Sequence, residues 1–320
     1  MTVSDDRVGL ADPARIITPR RDAIPPPSDT DDLTRYLRVT AVRADADDLH
    51  LAYRNCGVAI DVAGRWGATP ALAAAYSLRT SVGRRMGELA AAERDGELAG
   101  RMLADDPHGD AAMLLRARRI ATRLDAGNVP GAEHLLIGFR GDLPDGNGTL
   151  AMRYVRGRFH ACAGQPGEAL ADLFACGERL GARHADRPAV LPWRSAAAAI
   201  LAATGAPEAA TRLVGEEVAE ARRSGPPSAL GRALRVAGSV PGGPGIRALE
   251  ESVRILQRNP RRFEYAQALT DLGVALGAAR RRPQARRVLR EARALAVECG
   301  SPALAARATT AYAAAGGKIT

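Results

Sequence analysis

The segment Gly164-Gln165-Pro166-Gly167-Glu168-Ala169 is a helix stop followed at once by a helix start, and similar signatures recur along the chain. Glycine commonly ends a helix, and proline is well tolerated in the first turn of the next one. The alanines that close successive signatures are 37, 40, 39 and 37 residues apart. A fixed period of this length is typical of stacked helical repeats. The five signatures are Gly127–Ala132, Gly164–Ala169, Gly205–Ala209, Gly242–Ala248 and Arg282–Ala285.

The intervening segments have helical periodicity from about residue 33, and none alternates with a period of two. We therefore predict an all-α fold, a right-handed α-solenoid of tetratricopeptide-like antiparallel helical pairs with a period of about 37–40 residues. The predicted helices span 33–43, 49–64, 70–83, 87–103, 110–125, 131–140, 150–163, 167–180, 191–204, 208–224, 228–240, 245–257, 262–280, 284–299 and 302–315.

The chain divides into three regions by composition and by the strength of the repeat. Residues 1–30 are rich in Asp, Arg and Pro, so a disordered or loosely packed tail is expected there. Residues 31–149 are predicted to form divergent helical repeats. Residues 150–320 are predicted to form the clearer tetratricopeptide-like repeats, closed by a terminal capping helix.

Small and large residues alternate across each pair as they do in tetratricopeptide repeats. Gly273 is predicted to be the point of closest approach in its pair, where Ala285 and Ala292 leave room for it. Leu289 is expected to fill the gap between pairs. The residues assigned to repeat packing are Gly157, Ala169, Leu173, Cys176, Ala209, Ala248, Leu272, Gly273, Ala285, Leu289 and Ala292.

Composition argues against several classes of protein. Of 45 basic residues only Lys318 is lysine, so no phosphate-loop or Schiff-base lysine is available within the repeats. Aromatic residues make up 4% of the chain, which argues against a platform for stacking nucleic-acid bases. The four cysteines are far apart in sequence, which fits a reduced, cytoplasmic protein. No apolar run approaches the ~18 residues of a membrane span.

Two polar clusters invite a chemical interpretation. Asp45-Ala46-Asp47-Asp48 matches the Asp-x-Asp-Asp pattern of protonating terpene cyclases, but the segment is polar and a helix N-terminal acid is the simpler interpretation. A zinc set could be built from His160, Cys162, Cys176 and His184. Positions two apart on a helix point in different directions, so buried packing of Cys176 is favoured and no metal is predicted.

A third cluster lies in the loop 105–110, where three aspartates and a histidine surround a proline. It could bind a cation through oxygen ligands, but it lacks a regular ligand spacing, so a turn and helix cap are favoured. A small-molecule active site around 105–110 or 141–149 is the weakest functional hypothesis, because no catalytic set converges there. No catalytic residue and no cofactor are predicted.

Basic residues are concentrated in the last third of the chain. Residues 221–320 contain 18 Lys or Arg and 6 Asp or Glu, a net charge of +12. Four arginines spaced i, i+4, i+8 and i+11 share one helix face, and three more are expected nearby. A solvated surface is the simplest interpretation, and a clamp for an acidic partner or a phosphate backbone is the alternative. The candidates are Arg282, Arg286, Arg290 and Arg293, with Arg258, Arg261 and Arg262.

Segments in the second half of the chain carry a family resemblance. They are Gly167-Glu168-Ala169-Leu170-Ala171-Asp172-Leu173, Leu191-Pro192-Trp193-Arg194-Ser195, Ala229-Leu230-Gly231-Arg232-Ala233-Leu234-Arg235, Leu249-Glu250-Glu251-Ser252-Val253 and Tyr265-Ala266-Gln267-Ala268-Leu269-Thr270-Asp271-Leu272-Gly273. With them, residues 150–316 resemble the C-terminal helical-repeat region of the large ATP-binding LuxR-type (MalT-like) transcription regulators of actinobacteria.

The resemblance implies a sensor or scaffold module in transcriptional regulation, either free-standing or from a truncated gene. Family members carry an ATPase and a helix-turn-helix domain, but no Gly-x-x-x-x-Gly-Lys-Ser/Thr is present here, so neither ATP hydrolysis nor operator binding is carried over. We expect a non-enzymatic protein that binds a protein partner or a small effector on its concave face. A second copy of the chain is a further candidate partner. The alternative function is weak nucleic-acid binding through the basic C-terminal face.

Overall fold

The computed structural model describes residues 25–139, 146–182 and 191–318. These residues form fifteen α-helices and no β-strand, so the all-α prediction is confirmed. Within the same ranges no helix is long and apolar enough to cross a lipid bilayer. The helices are α1 (Thr30–Asp45), α2 (Leu49–Arg65), α3 (Thr69–Met86), α4 (Leu89–Met102), α5 (Asp110–Ala126), α6 (Val129–Leu136), α7 (Asn147–Cys162), α8 (Pro166–Ala182), α9 (Trp193–Ala203), α10 (Pro207–Ser224), α11 (Pro227–Ser239), α12 (Gly245–Leu256), α13 (Arg262–Ala278), α14 (Arg282–Glu298) and α15 (Pro302–Ala314).

Each predicted helix is present, with ends that differ by a few residues. The largest difference is at α6, which ends at Leu136 and not near residue 140. Residues 25–29 precede the first helix, and the Asp29 side chain caps α1 by accepting a hydrogen bond from Asp32 N at 2.8 Å. Residues 1–24 of the predicted tail lie outside the described residues, as do 141–145 and 183–188 of the predicted loops.

The helices are arranged as seven consecutive pairs and a final single helix. Each odd-numbered helix packs against the even-numbered helix that follows it, and each even-numbered helix packs against the next pair. Odd-numbered helices also contact one another from pair to pair, whereas even-numbered helices do not contact each other in the described ranges. The odd-numbered helices therefore form one layer and the even-numbered helices a second.

One alanine position repeats through all seven pairs. It is the fourth residue of each even-numbered helix, where a small side chain lets the paired helices approach closely. Successive members are 40, 40, 37, 41, 38 and 37 residues apart, so the register already holds in the first half of the chain. All are buried: Ala52, Ala92, Ala132, Ala169, Ala210, Ala248 and Ala285.

The assignment of Ala209 to this set is wrong by one residue. Ala209 is only half-buried, and Ala210 is fully buried. The reason lies in the turn: in six of the seven pairs a residue with positive φ stands five positions before the buried alanine, as Gly205 does here with φ 85°. Counting from that residue, and not from the proline, gives the correct register. In the first pair the same place is taken by Asp47, with φ 69°.

The pairs close on glycines in their odd-numbered helices. A Cβ on Gly273 would overlap Leu289 Cγ, and one on Gly157 would lie 2.9 Å from Leu173 Cγ and 3.0 Å from the Ala169 carbonyl oxygen. The closest approach predicted at Gly273 is therefore present. Leu289 was expected to fill the gap between pairs. In the structure its side chain packs against Gly273, which belongs to its own pair.

The first three pairs contact the last three helical units of the chain. α3 packs against α13 and α5 packs against α15. At these junctions a turn of one pair meets the start of a distant odd-numbered helix: a Cβ on Gly87 would lie 2.5 Å from Cys299 Sγ, just before α15. Ser301 Oγ donates to the Asp125 carbonyl oxygen at 2.6 Å. The two ends of the helical stack are thus joined by direct contacts.

Candidate functional site

A polar cavity of about 190 Å³ lies where the odd-numbered helices converge. Each odd-numbered helix from α3 to α13 contributes to its wall, so six of the seven pairs meet there. Guanidinium groups dominate the lining, and the carboxylates of Asp125 and Glu264 stand among them. The lining arginines are Arg84, Arg85, Arg158, Arg232, Arg235 and Arg261.

The arginines are positioned by carboxylates that are shared between neighbours. Asp125 accepts from Arg84 Nη1 at 2.6 Å and from Arg158 Nη2 at 2.7 Å, which joins α3, α5 and α7. Arg85 Nη1 lies 2.9 Å from Asp45 Oδ1 and so connects α3 with the end of α1. These charge-assisted hydrogen bonds hold each guanidinium in one orientation.

The opposite wall is organised around Glu264 of α13. Its Oε1 accepts from Arg232 Nη1 at 3.3 Å and from Arg261 Nη1 at 3.2 Å. Arg261 is the residue before α13, and its side chain is 2% exposed. Such a buried guanidinium is tolerated only where hydrogen-bond acceptors surround it.

Asp47 supplies the remaining acceptors for this wall. Its Oδ1 accepts from Arg261 Nε at 2.9 Å and from Ser228 Oγ at 2.6 Å. Its Oδ2 accepts from Ser228 N at 2.9 Å and from Asn259 Nδ2 at 2.8 Å. Asp47 therefore joins the first pair to the start of α11 and to the turn before α13. We call Asp47, Ser228, Asn259 and Arg261 the clasp.

Three ionisable groups of the cavity have shifted pKa values that leave each in one protonation state near neutral pH. Burial acts to raise the pKa of Glu264, but Arg261 and Arg232 overcome it and hold that pKa at about 2. Burial raises the pKa of Tyr154, so its phenol stays protonated. Burial and the charge of Arg261 lower the pKa of Arg85 to about 10, which still leaves it a cation. This chemistry suits binding of oxyanions better than proton transfer.

The structure does not bring the seven predicted arginines together. Arg261 lies inside the molecule, in the clasp. Arg262 pairs with Glu298 at the end of α14, whereas Arg282 begins that helix about 24 Å away. The expected grouping of Arg258, Arg261 and Arg262 with the α14 series is therefore wrong, because the turn before α13 meets the far end of α14.

The α14 series itself splits between solvent and the last helix. Arg282 and Arg293 are exposed, as is Arg258 in the preceding pair. Arg286 is half-buried and donates to the Ala315 carbonyl oxygen at 3.2 Å, and Arg290 Nη2 lies 3.5 Å from the Tyr312 hydroxyl. Two of the four arginines thus pack along α15.

The three polar clusters have structural partners. Asp47 contacts distant helices through the clasp. The expectation that the acids of Asp45–Asp48 act as helix N-terminal acids is therefore wrong for Asp47. Asp110 accepts from Gly148 N at 2.7 Å and caps α7, which agrees with a cap in that loop. His160 Nδ1 lies 2.7 Å from Gln165 Oε1. His184 lies outside the described residues, and within them no three His, Cys, Asp or Glu side chains group as metal ligands would.

Sequence analysis missed the cavity arginines other than Arg261, although a weak signal was present. A Gly-Arg dipeptide occurs at Gly83, Gly157 and Gly231, with 74 residues between successive members, which is two repeats. In each, the glycine faces its paired helix and the arginine, about 100° further round the helix, lines the cavity.

No protein-family model matches this sequence, and a search of curated proteins finds no match. The geometry of the cavity is therefore the main ground for a function.

Proposed function

We propose that this chain is a non-enzymatic helical-repeat sensor in transcriptional regulation, a right-handed α-solenoid that binds a small effector in its interior. The observation that carries the proposal is the cavity lined by six of the eight odd-numbered helices of the described residues. A site shared by so many repeats can couple one ligand to the packing of the whole stack. The resemblance to the repeat region of LuxR-type regulators supports the role in transcription.

The size of the cavity favours a small effector over a protein partner inside the stack. Its volume is about 190 Å³. A partner helix is about 10–12 Å wide with its side chains, and so does not fit. A protein partner would have to bind elsewhere on the surface.

The division into repeat regions at residue 150 stays a prediction.

The closing contacts give a means of signalling. The clasp connects the first pair to the sixth and seventh, and Arg261 belongs both to the clasp and to the cavity wall. An effector that binds the closed form more tightly than the open form stabilises it by mass action. The surface presented by the first and last repeats would then depend on the effector.

Ligand recovery tests the sensor role. Purified protein is incubated with the small-molecule fraction of its source cells, separated by gel filtration and denatured, and the released compounds are identified by mass spectrometry. We expect one compound to be recovered unchanged in stoichiometric amount. Conversion of that compound by catalytic amounts of protein would contradict a non-enzymatic role.

A second measurement addresses transcription. Transcripts are compared between the source strain, a deletion of the gene, and the deletion carrying the wild-type gene. We expect a small set of transcripts to change on deletion and to return on complementation. An unchanged transcript profile under conditions in which the gene is expressed would contradict the regulatory role.

A further inference from the structure

The cavity holds more hydrogen-bond donors than acceptors. Each of its six guanidinium groups carries five N–H donors. Five carboxylates pair with these six cations: Asp45, Asp47, Asp125, Glu264 and Asp271. Asp125 and Glu264 each serve two of the six, and Asp271 pairs with Arg235 and also with Arg307, which does not line the cavity. Seven arginines thus face five carboxylates, an excess of two formal positive charges.

Two donors on the cavity wall have no partner among the described residues. They are Nη2 of Arg261, whose side chain is 2% exposed, and Nε of Arg235. A buried N–H without an acceptor costs roughly 1–3 kcal/mol. Glu264 Oε2 also lacks a donor.

Glu217 is a further buried acid that interacts with Arg232, and as a carboxylate it offsets only one of these two charges. Glu217 accepts from Ser195 N at 2.7 Å, at the start of α9, and burial raises its pKa. The lowered pKa of Arg85, caused by burial and by the neighbouring Arg261, points to the same surplus of positive charge. A negatively charged ligand would offset the repulsion between Arg85 and Arg261.

We propose that the effector of this cavity is a small oxyanion, a phosphate or a carboxylate metabolite, held by the guanidinium groups that line it. The inference rests on the proposed function, since it names the chemical class of the effector. Guanidinium groups bind both kinds of oxyanion through paired N–H donors.

A charge-matched pair of variants tests this site without disturbing the ion pairs. Ala199 is exposed on α9 and lines the cavity. Ala199→Glu places a carboxylate beside the arginines, where it competes with the ligand. Ala199→Gln has nearly the same size and no charge, and both residues are good helix formers, so both variants are expected to fold.

Isothermal titration calorimetry at low salt measures binding of inorganic phosphate, 3-phosphoglycerate and malate, with glycerol as the neutral control. We expect at least one oxyanion to bind wild type and Ala199→Gln alike, and Ala199→Glu to weaken it by about tenfold or more. The arm that binds most tightly identifies the source: inorganic phosphate, a phosphorylated metabolite or a carboxylate.

Two results would overturn the inference. One is the absence of binding by every oxyanion at millimolar concentration. The other is equal binding by Ala199→Glu and Ala199→Gln, which would place the anion outside this cavity. If either result occurs while an unchanged neutral compound is recovered from cells, the oxyanion assignment fails and the sensor role stands. If no compound is recovered and no transcript responds, both proposals fail.

Discussion

Replacing Asp47 with asparagine should cost this protein a large part of its stability. The carboxylate accepts four hydrogen bonds, two at each oxygen, from Ser228, Asn259 and Arg261. Asparagine keeps one oxygen, but its NH₂ group then faces two donors, and the buried Arg261 loses a counter-charge. Loss of one partner from a buried ion pair costs about 3–5 kcal/mol. Asparagine tolerates positive φ, so the backbone at φ 69° adds little to the cost.

Urea unfolding followed by far-ultraviolet circular dichroism measures the effect. Taking a loss of about 3 kcal/mol and a slope of about 3 kcal/mol/M, the midpoint of Asp47→Asn falls by about 1 M. Asp48→Asn is the matched control, since Asp48 is one residue away, is 36% exposed and makes one 3.5 Å pair with Arg43. An exposed pair contributes about 0–1 kcal/mol. Equal midpoints for the two variants would refute the clasp as a stabilising contact.

Three further predictions concern packing, thiol reactivity and pH. Gly273→Ala should destabilise the protein by about 1–3 kcal/mol, because the new Cβ would overlap Leu289. Gly277→Ala on the same helix is the control: its Cβ meets nothing within 4 Å, so it should stabilise the protein by up to about 1 kcal/mol. Thermal unfolding that ranks the two variants in the opposite order contradicts the packing. Of the four cysteines only Cys162 is exposed. A thiol reagent should therefore label one site rapidly in the native protein and four sites in urea. Rapid labelling of a second site in the native protein would contradict the burial of the other three cysteines. Glu264 has a pKa of about 2 in the folded protein, against 4.5 when unperturbed. Its contribution to stability is therefore present above pH 4.5 and is lost as the pH falls towards 2. The difference in unfolding free energy between wild type and Glu264→Gln should shrink between pH 6 and pH 3, and a constant difference would contradict the lowered pKa.

Local signals were enough to place every helix. At nearly every turn within a pair, a residue in the left-handed backbone conformation is followed by the start of the next helix. These stop and start signals depend on only a few neighbouring residues, so they can be recognised in the sequence. The one register error, Ala209 for Ala210, arose because the first alanine after the proline was taken, whereas the glycine with positive φ sets the register. Packing within a pair was also predictable, as at Gly273, since paired helices are adjacent in the chain.

The cavity could not be predicted in the same way. Its lining arginines and their acids come from six helices, and Arg261 meets Asp47 across 214 residues of sequence. Periodicity specifies which side of a helix is inward, but the curvature of the stack decides which inward residues meet.

The sequence by itself determined the helices, their pairing and the small residues between them, because these depend on contacts within about forty residues. Only the tertiary structure decided that the first pairs contact the last. Contacts such as those of α3 with α13 and of α5 with α15 join segments far apart in sequence, which local periodicity does not report. That closure turns scattered arginines into one site and makes Asp47 a partner of Arg261.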